Sequence, residues 1–215
     1  MAIVIAIDGT FSSGKGTLAK KLADYLGFSY LDTGKLYRAV GLRALDTNTD
    51  FGDGRALAQL AGEITPEELN NPILKSGAVG SAASKVAVHS EVRAALYDFQ
   101  RSFAANPGEE YKGAVLDGRD IGTVICPDAD VKLYVDAKPK IRAERRHKEL
   151  LSYGESISLE KVTTDLFERD HRDQNRAQAP LKPAANAHLL DTTNLSIDAA
   201  FAQAKALIEI ILLQK

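Results

Sequence analysis

A glycine-rich turn that carries a lysine stands between an apolar run and an amphipathic segment. The apolar run is Ile3 to Ile7, the turn is Gly9 to Thr17 and reads G-x-x-x-x-G-K, and Leu18 to Leu26 follows with helical spacing. Glycines in such a turn let backbone amides face a polyphosphate, the start of the helix adds partial positive charge, and Lys15 adds a full charge. Strand, turn and helix together predict a phosphate-binding loop for a nucleotide.

All residues of this loop are candidate nucleotide-binding positions, and Lys15 is also a candidate catalytic residue. They are Gly9, Thr10, Phe11, Ser12, Ser13, Gly14, Lys15, Gly16 and Thr17. The general motif has Ser or Thr directly after the lysine, whereas this chain has Gly16 there and a hydroxyl one place later. That departure leaves open whether Thr17 is a direct Mg²⁺ ligand.

Further apolar runs alternate with helical patterns along the chain. Runs typical of buried strands cover 3–7, 28–31, 114–116 and 131–135, with a weaker one at 188–190. Helical patterns cover 15–26, 35–45, 81–103, 139–151, 159–176 and 197–213. Continuous apolar runs are typical of parallel strands covered on both faces. The sequence therefore predicts an α/β fold of the P-loop type. Its three layers are a doubly wound parallel sheet of five strands and the helices on both of its faces.

The length of 215 residues fits one domain with inserted lobes better than two equal domains. Residues 46–76 are rich in Gly and Pro and begin an inserted, mostly helical lobe that runs to about residue 105. The predicted core is then 1–45, 106–138 and 177–215, and residues 139–176 form a helical lid over it. Tyr153, Gly154 and Glu155 join the two lid helices, and closure of such a lid would expel water from a reaction site.

Composition excludes several classes of partner. Lys and Arg number 27 against 29 Asp and Glu, for a net charge of −2, which argues against a dominant basic patch for nucleic acid. Lys205 and Glu209 interrupt the apolar C-terminal stretch, so we expect a helix packed on the sheet and no membrane partner. The opening residues do not read as a signal peptide. The single Cys126 fits a reducing, cytoplasmic setting, and we expect a monomer.

An aspartate ends the third predicted strand. Asp117 would lie beside the phosphate loop, where a carboxylate holds Mg²⁺ directly or through water. The alternative is an ordinary Asp-Gly turn with Gly118. A glutamate that activates water is absent after Asp117, which argues against ATP hydrolysis as the main task.

Arginines are concentrated after the third strand and on the two lid helices. They are Arg119, then Arg142, Arg145 and Arg146, then Arg169, Arg172 and Arg176. On the last helix one face changes from apolar at Leu159, Val162 and Leu166 to charged at Arg169, Asp173 and Arg176. Its second half is expected to face a phosphate-binding cleft. A solvated helix end with an Arg169 to Asp173 ion pair is the alternative.

A further polar cluster follows the second strand. Thr33 and Arg38 are expected to point across the crevice beside the phosphate loop. The alternative is that Asp32 caps the following helix and Arg38 lies on the surface.

These motifs together resemble the bacterial cytidylate kinases, within the nucleoside monophosphate kinases. The matching segments are 9–17, 32–38, Ser84 with Arg93, Asp117-Gly-Arg-Asp-Ile-Gly-Thr123, and Arg169-Asp-His-Arg-Asp-Gln-Asn-Arg176 continuing to Leu181. The resemblance implies transfer of the γ-phosphoryl group of ATP, with Mg²⁺, to CMP or dCMP, and it makes residues 46–105 the NMP-binding lobe.

The resemblance also implies roles for single residues. Ser84, Arg93 and Asp120 would read the cytosine ring; Arg38, Arg119 and Arg176 would hold the acceptor phosphate; and Arg169 and Asp173 would hold the sugar. Thr33 stands where many members have Ser. The lid arginines Arg142, Arg145 and Arg146, with Lys15, Arg119 and Asp117, would serve catalysis.

The chain departs from the family in one interval. The segment between Arg38 and Ser84 is short, and the pattern of the small β-sheet that the bacterial type inserts there is missing. Two other functions stay as alternatives: a P-loop kinase for another small acceptor, such as a different monophosphate or shikimate, and a nucleotide-dependent switch. The N-K-x-D guanine reader of GTPase switches is absent from the sequence.

Overall fold

The computed structural model of the chain describes residues 2 to 213. Its strands are β1 (Ile3–Gly9), β2 (Ser29–Asp32), β3 (Gly113–Gly118), β4 (Val131–Asp136) and β5 (His188–Asp191). They form one sheet in the order β2-β3-β1-β4-β5, and every neighbouring pair is parallel. The predicted five-stranded α/β fold is confirmed, including the weak last strand.

Eight helices connect the strands within the described residues. They are α1 (Lys15–Leu26), α2 (Thr33–Asp46), α3 (Gly54–Gly62), α4 (Gly77–Val86), α5 (Ser90–Ala105), α6 (Pro139–Ser152), α7 (Leu159–Asn175) and α8 (Ile197–Leu213). Short helical turns lie at Glu67–Asn70, Pro72–Lys75 and Ile121–Ile125. No helix in the described part of the chain is long and apolar enough to cross a membrane.

The two faces of the sheet are buried under different helices. Ile5 and Ile7 pack with Leu18 and Leu22 of α1 and Ile208 of α8. The intervening residue Ala6 faces the other way, into a second apolar cluster with residues of α2, α3 and α5. Each buried Leu or Ile contributes about 1.5–3 kcal/mol to folding. Because both faces are covered, the strands are apolar throughout, and this is why they were recognisable as continuous runs.

The helix predicted over 81–103 was wrong as one element, because the structure divides it into α4 and α5. The break lies at residues 87–89, where the guanidinium of Arg93 donates to the carbonyls of Ala87 (2.8 Å) and Val88 (3.1 Å). This side chain thus satisfies acceptors that a continuous helix would satisfy through its backbone. The apolar spacing runs on through the break, so periodicity alone could not reveal it.

The lobe at residues 46–105 is helical among the described residues, with no strand between 46 and 112. Helix α4 packs closely on α2 through Gly41. A Cβ atom at Gly41 would lie 2.9 Å from the backbone nitrogen of Ala83 and 3.0 Å from Cβ of Ala82. Glycine in the middle of α2 therefore serves the close approach of the two helices.

A buried carboxylate connects β1 to the turn that follows β3. Asp8 accepts backbone hydrogen bonds from Ile121 (2.8 Å) and Gly122 (2.7 Å). Burial raises the pKa of Asp8 to about 6; Asp120 raises it further, and the two backbone donors oppose the shift. This anchor holds the Ile121–Ile125 turn, and with it the neighbouring Asp120, against the sheet.

We predict that Asp8 gives the folding free energy a distinct pH dependence. With its pKa raised from 3.8 to about 6, the native state binds a proton that the unfolded chain releases between these pH values. Native stability is therefore lost as the pH rises through this window. Asp8→Asn stays neutral, so the stability of the native protein relative to this variant should fall by about 2 kcal/mol from about pH 4 to about pH 6.5. Urea unfolding at each pH measures this difference, and a constant difference would contradict the assignment.

A second prediction concerns the contact between α2 and α4. Gly41→Ala should lower the free energy of unfolding by about 1–3 kcal/mol, because the added methyl meets backbone atoms of α4. Gly62→Ala is the matched control: its Cβ would have no neighbour within 4 Å, so stability should be unchanged or rise by up to about 1 kcal/mol. Thermal or urea unfolding of both variants checks the contact, which is refuted if they behave alike.

Candidate active site

A cavity of about 450 Å³ lies between the phosphate loop, the end of β3 and helices α6 and α7. The side chains around it are mostly cationic: Lys15, Arg38, Arg119, Arg145, Arg146 and Arg169, facing Asp32, Asp117 and Glu149. Polar atoms of the loop and of Thr17 complete the lining. This excess of positive charge suits a ligand that carries several negative charges.

The loop takes its shape from positions where glycine is required. A Cβ atom at Gly9 would clash with the carbonyl oxygen of Val135, and Gly14 has a φ of +89° immediately before α1. Thr10 donates from Oγ1 to Asp136 Oδ1 (2.6 Å) and so ties the loop to β4. Ser13 Oγ is buried and has no hydrogen-bond partner in the structure. An unpartnered buried hydroxyl fits a loop that is completed by a ligand.

Lys15 is buried at the start of α1 and faces the cavity. Burial and the nearby Arg119 lower its pKa to about 8, while Asp117 opposes the shift. A phosphate oxygen beside Lys15 would restore the stability of its charged form. The position therefore matches the predicted role of this lysine at the outer phosphates.

Asp117 lies opposite the loop at the end of β3. Its Oδ2 accepts a hydrogen bond of 2.6 Å from the hydroxyl of Tyr30. Burial, followed by repulsion from Asp32, raises the pKa of Asp117 to about 7, and Lys15 counteracts this. A Cβ atom at Gly16 would lie 3.4 Å from Asp117 Oδ2 and 3.8 Å from the Tyr30 hydroxyl. Gly16, at the position that usually carries Ser or Thr, thus faces the carboxylate of Asp117 on β3 and the phenol of Tyr30 on β2.

Two carboxylates that repel each other beside a phosphate cavity fit a divalent cation. Asp32 and Asp117 both line the cavity, but among the described residues no group of three or more His, Cys, Asp or Glu could hold a metal alone. Mg²⁺ commonly binds through one or two carboxylates, water and substrate phosphates. The residues present therefore fit a metal that arrives with a nucleotide. Thr17 lines the same cavity. Its role as a direct Mg²⁺ ligand stays a prediction.

The arginines of the cavity are held by separate partners. Arg38 donates to the carbonyl of Leu74 (2.5 Å), Arg119 to Asp173 (2.9 Å) and Arg146 to Glu149 (2.8 Å). The guanidinium of Arg169 stacks 4.1 Å from the ring centre of Phe11. Among the described residues its buried Nε has no hydrogen-bond partner, although Asp173 Oδ2 lies 4.0 Å away. Burial, together with neighbouring arginines, lowers the pKa of Arg169 to about 9. These groups are pre-positioned, and their charge is only partly neutralised.

The structure separates the three predicted lid arginines. Arg145 and Arg146 line the cavity, whereas Arg142 does not. Arg142 is buried and pairs with both carboxylate oxygens of Asp170 (3.1 and 2.6 Å). It also donates to the carbonyl of Phe11 (3.0 Å). In this arrangement Arg142 joins α6, α7 and the phosphate loop, and its predicted catalytic role would be exerted by holding that loop.

A smaller cavity of about 50 Å³ opens next to the first and contains most of the residues expected to read a base and a sugar. Its side chains are Thr33, Tyr37, Ser84, Arg119, Asp120, Arg169, Asp173 and Arg176. Asp120 and Arg176 form an ion pair of 3.5 Å. Burial raises the pKa of Asp120, and Arg176 and Arg93 oppose the shift. Arg176 lines this cavity and not the larger one.

Two predicted residues take supporting positions. Arg93 does not line the smaller cavity; it donates to carbonyls at the break between α4 and α5 and to Gln178 Oε1 (3.2 Å). Thr33 donates from Oγ1 to the carbonyl of Asp117 (2.7 Å) and so joins α2 to β3.

Sequence reasoning missed Tyr30, whose role depends on a contact between strands that no local motif encodes.

The ends of β5 and of the loop are also connected. Arg145 donates to the backbone carbonyl of Thr192 (2.7 Å) and to its Oγ1 (3.0 Å), while the hydroxyl of Thr192 donates to the carbonyl of Ser13 (2.7 Å). This contact brings the turn after β5 against the phosphate loop. No motif in the sequence singled out Thr192 or its neighbours.

Comparisons with known proteins agree with this geometry. The family model for cytidylate kinase matches residues 5–209. A cytidylate kinase of Afipia carboxidovorans is 52% identical over 96% of this chain and 97% of its own length. One of Rhizobium meliloti is 46% identical over the full length of both chains.

Likeness to solved structures extends to the fold alone. An uncharacterised protein from Eubacterium ventriosum superposes with a TM-score of 0.53 at 15% identity, over 96% of this chain and 98% of its own. Because the match of sequence and family model spans nearly the whole chain, including the loop, the Asp117–Thr123 segment and the Arg169–Arg176 segment, the family is not in doubt. The chain belongs to the cytidylate kinase family.

Proposed function

We propose that this protein transfers the γ-phosphoryl group of ATP to CMP or dCMP, which yields ADP and CDP or dCDP. The observation that carries the proposal is that Arg119 and Arg169 line both cavities. A monophosphate whose base lies in the smaller cavity would thus place its phosphate in the larger one, opposite the phosphate loop. Donor and acceptor phosphates would meet between Lys15 and these arginines.

The acceptor residues are assigned by position and by the family. Ser84 and Asp120 would contact cytosine, with Arg93 supporting the wall of the pocket, and Arg169 and Asp173 would hold the sugar. Arg38 and Arg119 would hold the acceptor phosphate together with Arg176. A carboxylate at Asp120 matches the amino group of cytosine, whereas uracil would present a carbonyl oxygen that repels the buried carboxylate.

The transfer needs no general base from the protein, since a phosphate monoester is already a nucleophile at neutral pH. Its oxygen attacks the γ-phosphorus in line, and charge spreads over the transferring group. Lys15, Arg145 and Arg146 are positioned to neutralise that charge. Asp117 would hold Mg²⁺, most simply through water, and the metal would then neutralise the phosphate oxygens. The four histidines are outside both cavities.

Contacts between the proposed lid (139–176) and the proposed NMP-binding lobe (46–105) would enclose the reaction. Gly154, with a φ of +80°, shapes the turn between α6 and α7. The next residue, Glu155, accepts a hydrogen bond from the backbone of Gly77 (2.7 Å) at the start of α4. This carboxylate lies where the helix N-terminus favours negative charge.

We assign the reaction to a cytoplasmic monomer that acts on small-molecule substrates.

A panel of monophosphates tests the function directly. The pure protein with Mg-ATP should convert CMP and dCMP at least about tenfold more efficiently, in kcat/KM, than UMP, because Asp120 rejects a base that lacks the amino group. AMP and GMP are included as purine acceptors and should also be poorer substrates than CMP and dCMP. ADP release is the readout, and shikimate is included as an unrelated acceptor. Faster turnover of any other acceptor than of CMP and dCMP would refute the proposal.

The role of Asp120 has a separate test. Asp120→Asn should reduce kcat/KM for CMP by at least about tenfold, since it removes a desolvated, charged hydrogen bond worth about 1.5–3 kcal/mol. Asp128→Asn is the control, because that carboxylate is 77% exposed and lies outside both cavities. Unchanged kinetics in Asp120→Asn would remove this residue from the base site.

A further inference from the structure

One hydrogen bond connects the lid helix to the pocket that is proposed to read the base. Arg172 of α7 donates from Nε to Oγ of Ser84 on α4, at 3.0 Å. Ser84 is 3% exposed and belongs to the wall of the smaller cavity. Arg172 is outside that wall. It lies in a neighbouring cavity of about 340 Å³ between α4, α6 and α7, which Ser84 also borders.

The chemistry of the pair determines which atom donates. A guanidinium has five N–H donors and no acceptor, whereas a hydroxyl has one donor and two lone pairs. Ser84 Oγ must therefore accept from Arg172. The contact leaves one lone pair and the hydroxyl proton of Ser84 for a ligand in the smaller cavity.

The contact excludes the orientation in which the Ser84 proton points toward α7 and leaves two orientations for that proton. A cationic donor on one lone pair also polarises the hydroxyl, which becomes a stronger donor and a weaker acceptor. A free serine hydroxyl rotates to suit its partner and so tolerates either a donor or an acceptor. Cytosine presents an amino donor beside a ring acceptor, and uracil presents the reverse arrangement. A hydroxyl polarised by Arg172 donates strongly to the ring acceptor of cytosine and accepts poorly from the ring N–H of uracil, so it discriminates more strongly than a free serine.

Few polar contacts between α7 and α4 accompany this one. Arg169 donates to the carbonyl of Gly80 at 3.2 Å, and no ion pair joins the two helices among the described residues. In the part of the chain that the structure describes, the other side-chain partner of Arg172 is Glu168, at a loose 3.6 Å on its own helix. The orientation of Ser84 therefore depends on where α7 lies, so the lid and the base pocket are joined at this residue.

We propose that Arg172 is a positioning residue for base specificity, which orients the Ser84 hydroxyl and makes base reading depend on the position of the lid helix. The inference rests on the proposed function, because it presupposes a pyrimidine in the smaller cavity. It goes beyond that function by assigning discrimination to a residue that touches no substrate.

The test measures selectivity together with activity. Arg172→Met keeps the length of the stem and removes the donor, so the ratio of kcat/KM for CMP to kcat/KM for UMP should fall by about tenfold. Arg172→Lys keeps the charge on a flexible stem without the directed planar donor, and it should lose a similar factor. If Lys restores the native ratio, a general charge effect explains the contact and the proposal fails.

A double-mutant cycle identifies Ser84 as the route. In a Ser84→Ala background, Arg172→Met should have little further effect on the ratio, because the hydroxyl that it orients is gone. Glu168→Gln is the matched control: it removes the loose partner of Arg172 and leaves the Ser84 contact in place, so its ratio should equal that of the native protein. Equal loss of selectivity in the presence and absence of Ser84 would overturn the proposal.

Equilibrium binding separates this inference from the proposed function. Titration of native protein and Arg172→Met with CMP and with UMP should show that the variant loses affinity mainly for CMP. If the native protein neither binds nor phosphorylates CMP in preference to other monophosphates, the proposed function fails. If the native protein prefers CMP and Arg172→Met retains that preference, only the role of Arg172 fails.

Discussion

The cavity beside the phosphate loop holds more positive charge than its own carboxylates neutralise. The repulsion among these cations governs how the surrounding elements are arranged. Lys15, Arg38 and Arg169 all have lowered pKa values, because burial and then neighbouring arginines disfavour their charged forms. Three arginines of the cavity are kept in place by partners on other elements: the carbonyl of Leu74 for Arg38, Asp173 for Arg119 and the ring of Phe11 for Arg169. A polyanionic ligand would relieve the repulsion without moving these groups, which is the condition for electrostatic stabilisation at low reorganisation cost.

The same partners join α7 to the sheet and to the phosphate loop. Asp173 belongs to α7 and Arg119 follows β3, and both are largely buried. Breaking a buried pair of this kind by removing one member costs about 3–5 kcal/mol. Asp170 and Arg142 make a second buried connection between α7, α6 and the phosphate loop. Arg169 also lies 4.0 Å from Asp173 on the same helix, but both side chains are largely buried, so the charged half of α7 is not the solvated helix end that was the alternative. It carries buried ion pairs and lines the two cavities.

Much of the site could be predicted because its motifs are contiguous. The phosphate loop needs glycines, a lysine and a helix start in one short segment, so its position in the chain implies its position in space. The strands were recognisable because a parallel sheet covered on both faces leaves no polar alternation. The break between α4 and α5 escaped, since side-chain donation from Arg93 to backbone carbonyls leaves no trace in apolar spacing. Tyr30 and Arg172 escaped for a related reason: each acts on a residue more than eighty positions away.

By itself the sequence determined the fold class, the place of the phosphate loop and the family, because these depend on local patterns and on motifs that occur in a set order. Only the tertiary structure decided which arginine faces which partner. It placed Arg142 against Asp170, Arg145 against Thr192 and Arg172 against Ser84. A guanidinium has the same donors wherever it stands, so its role is set by the acceptors that folding brings within about 3 Å of it.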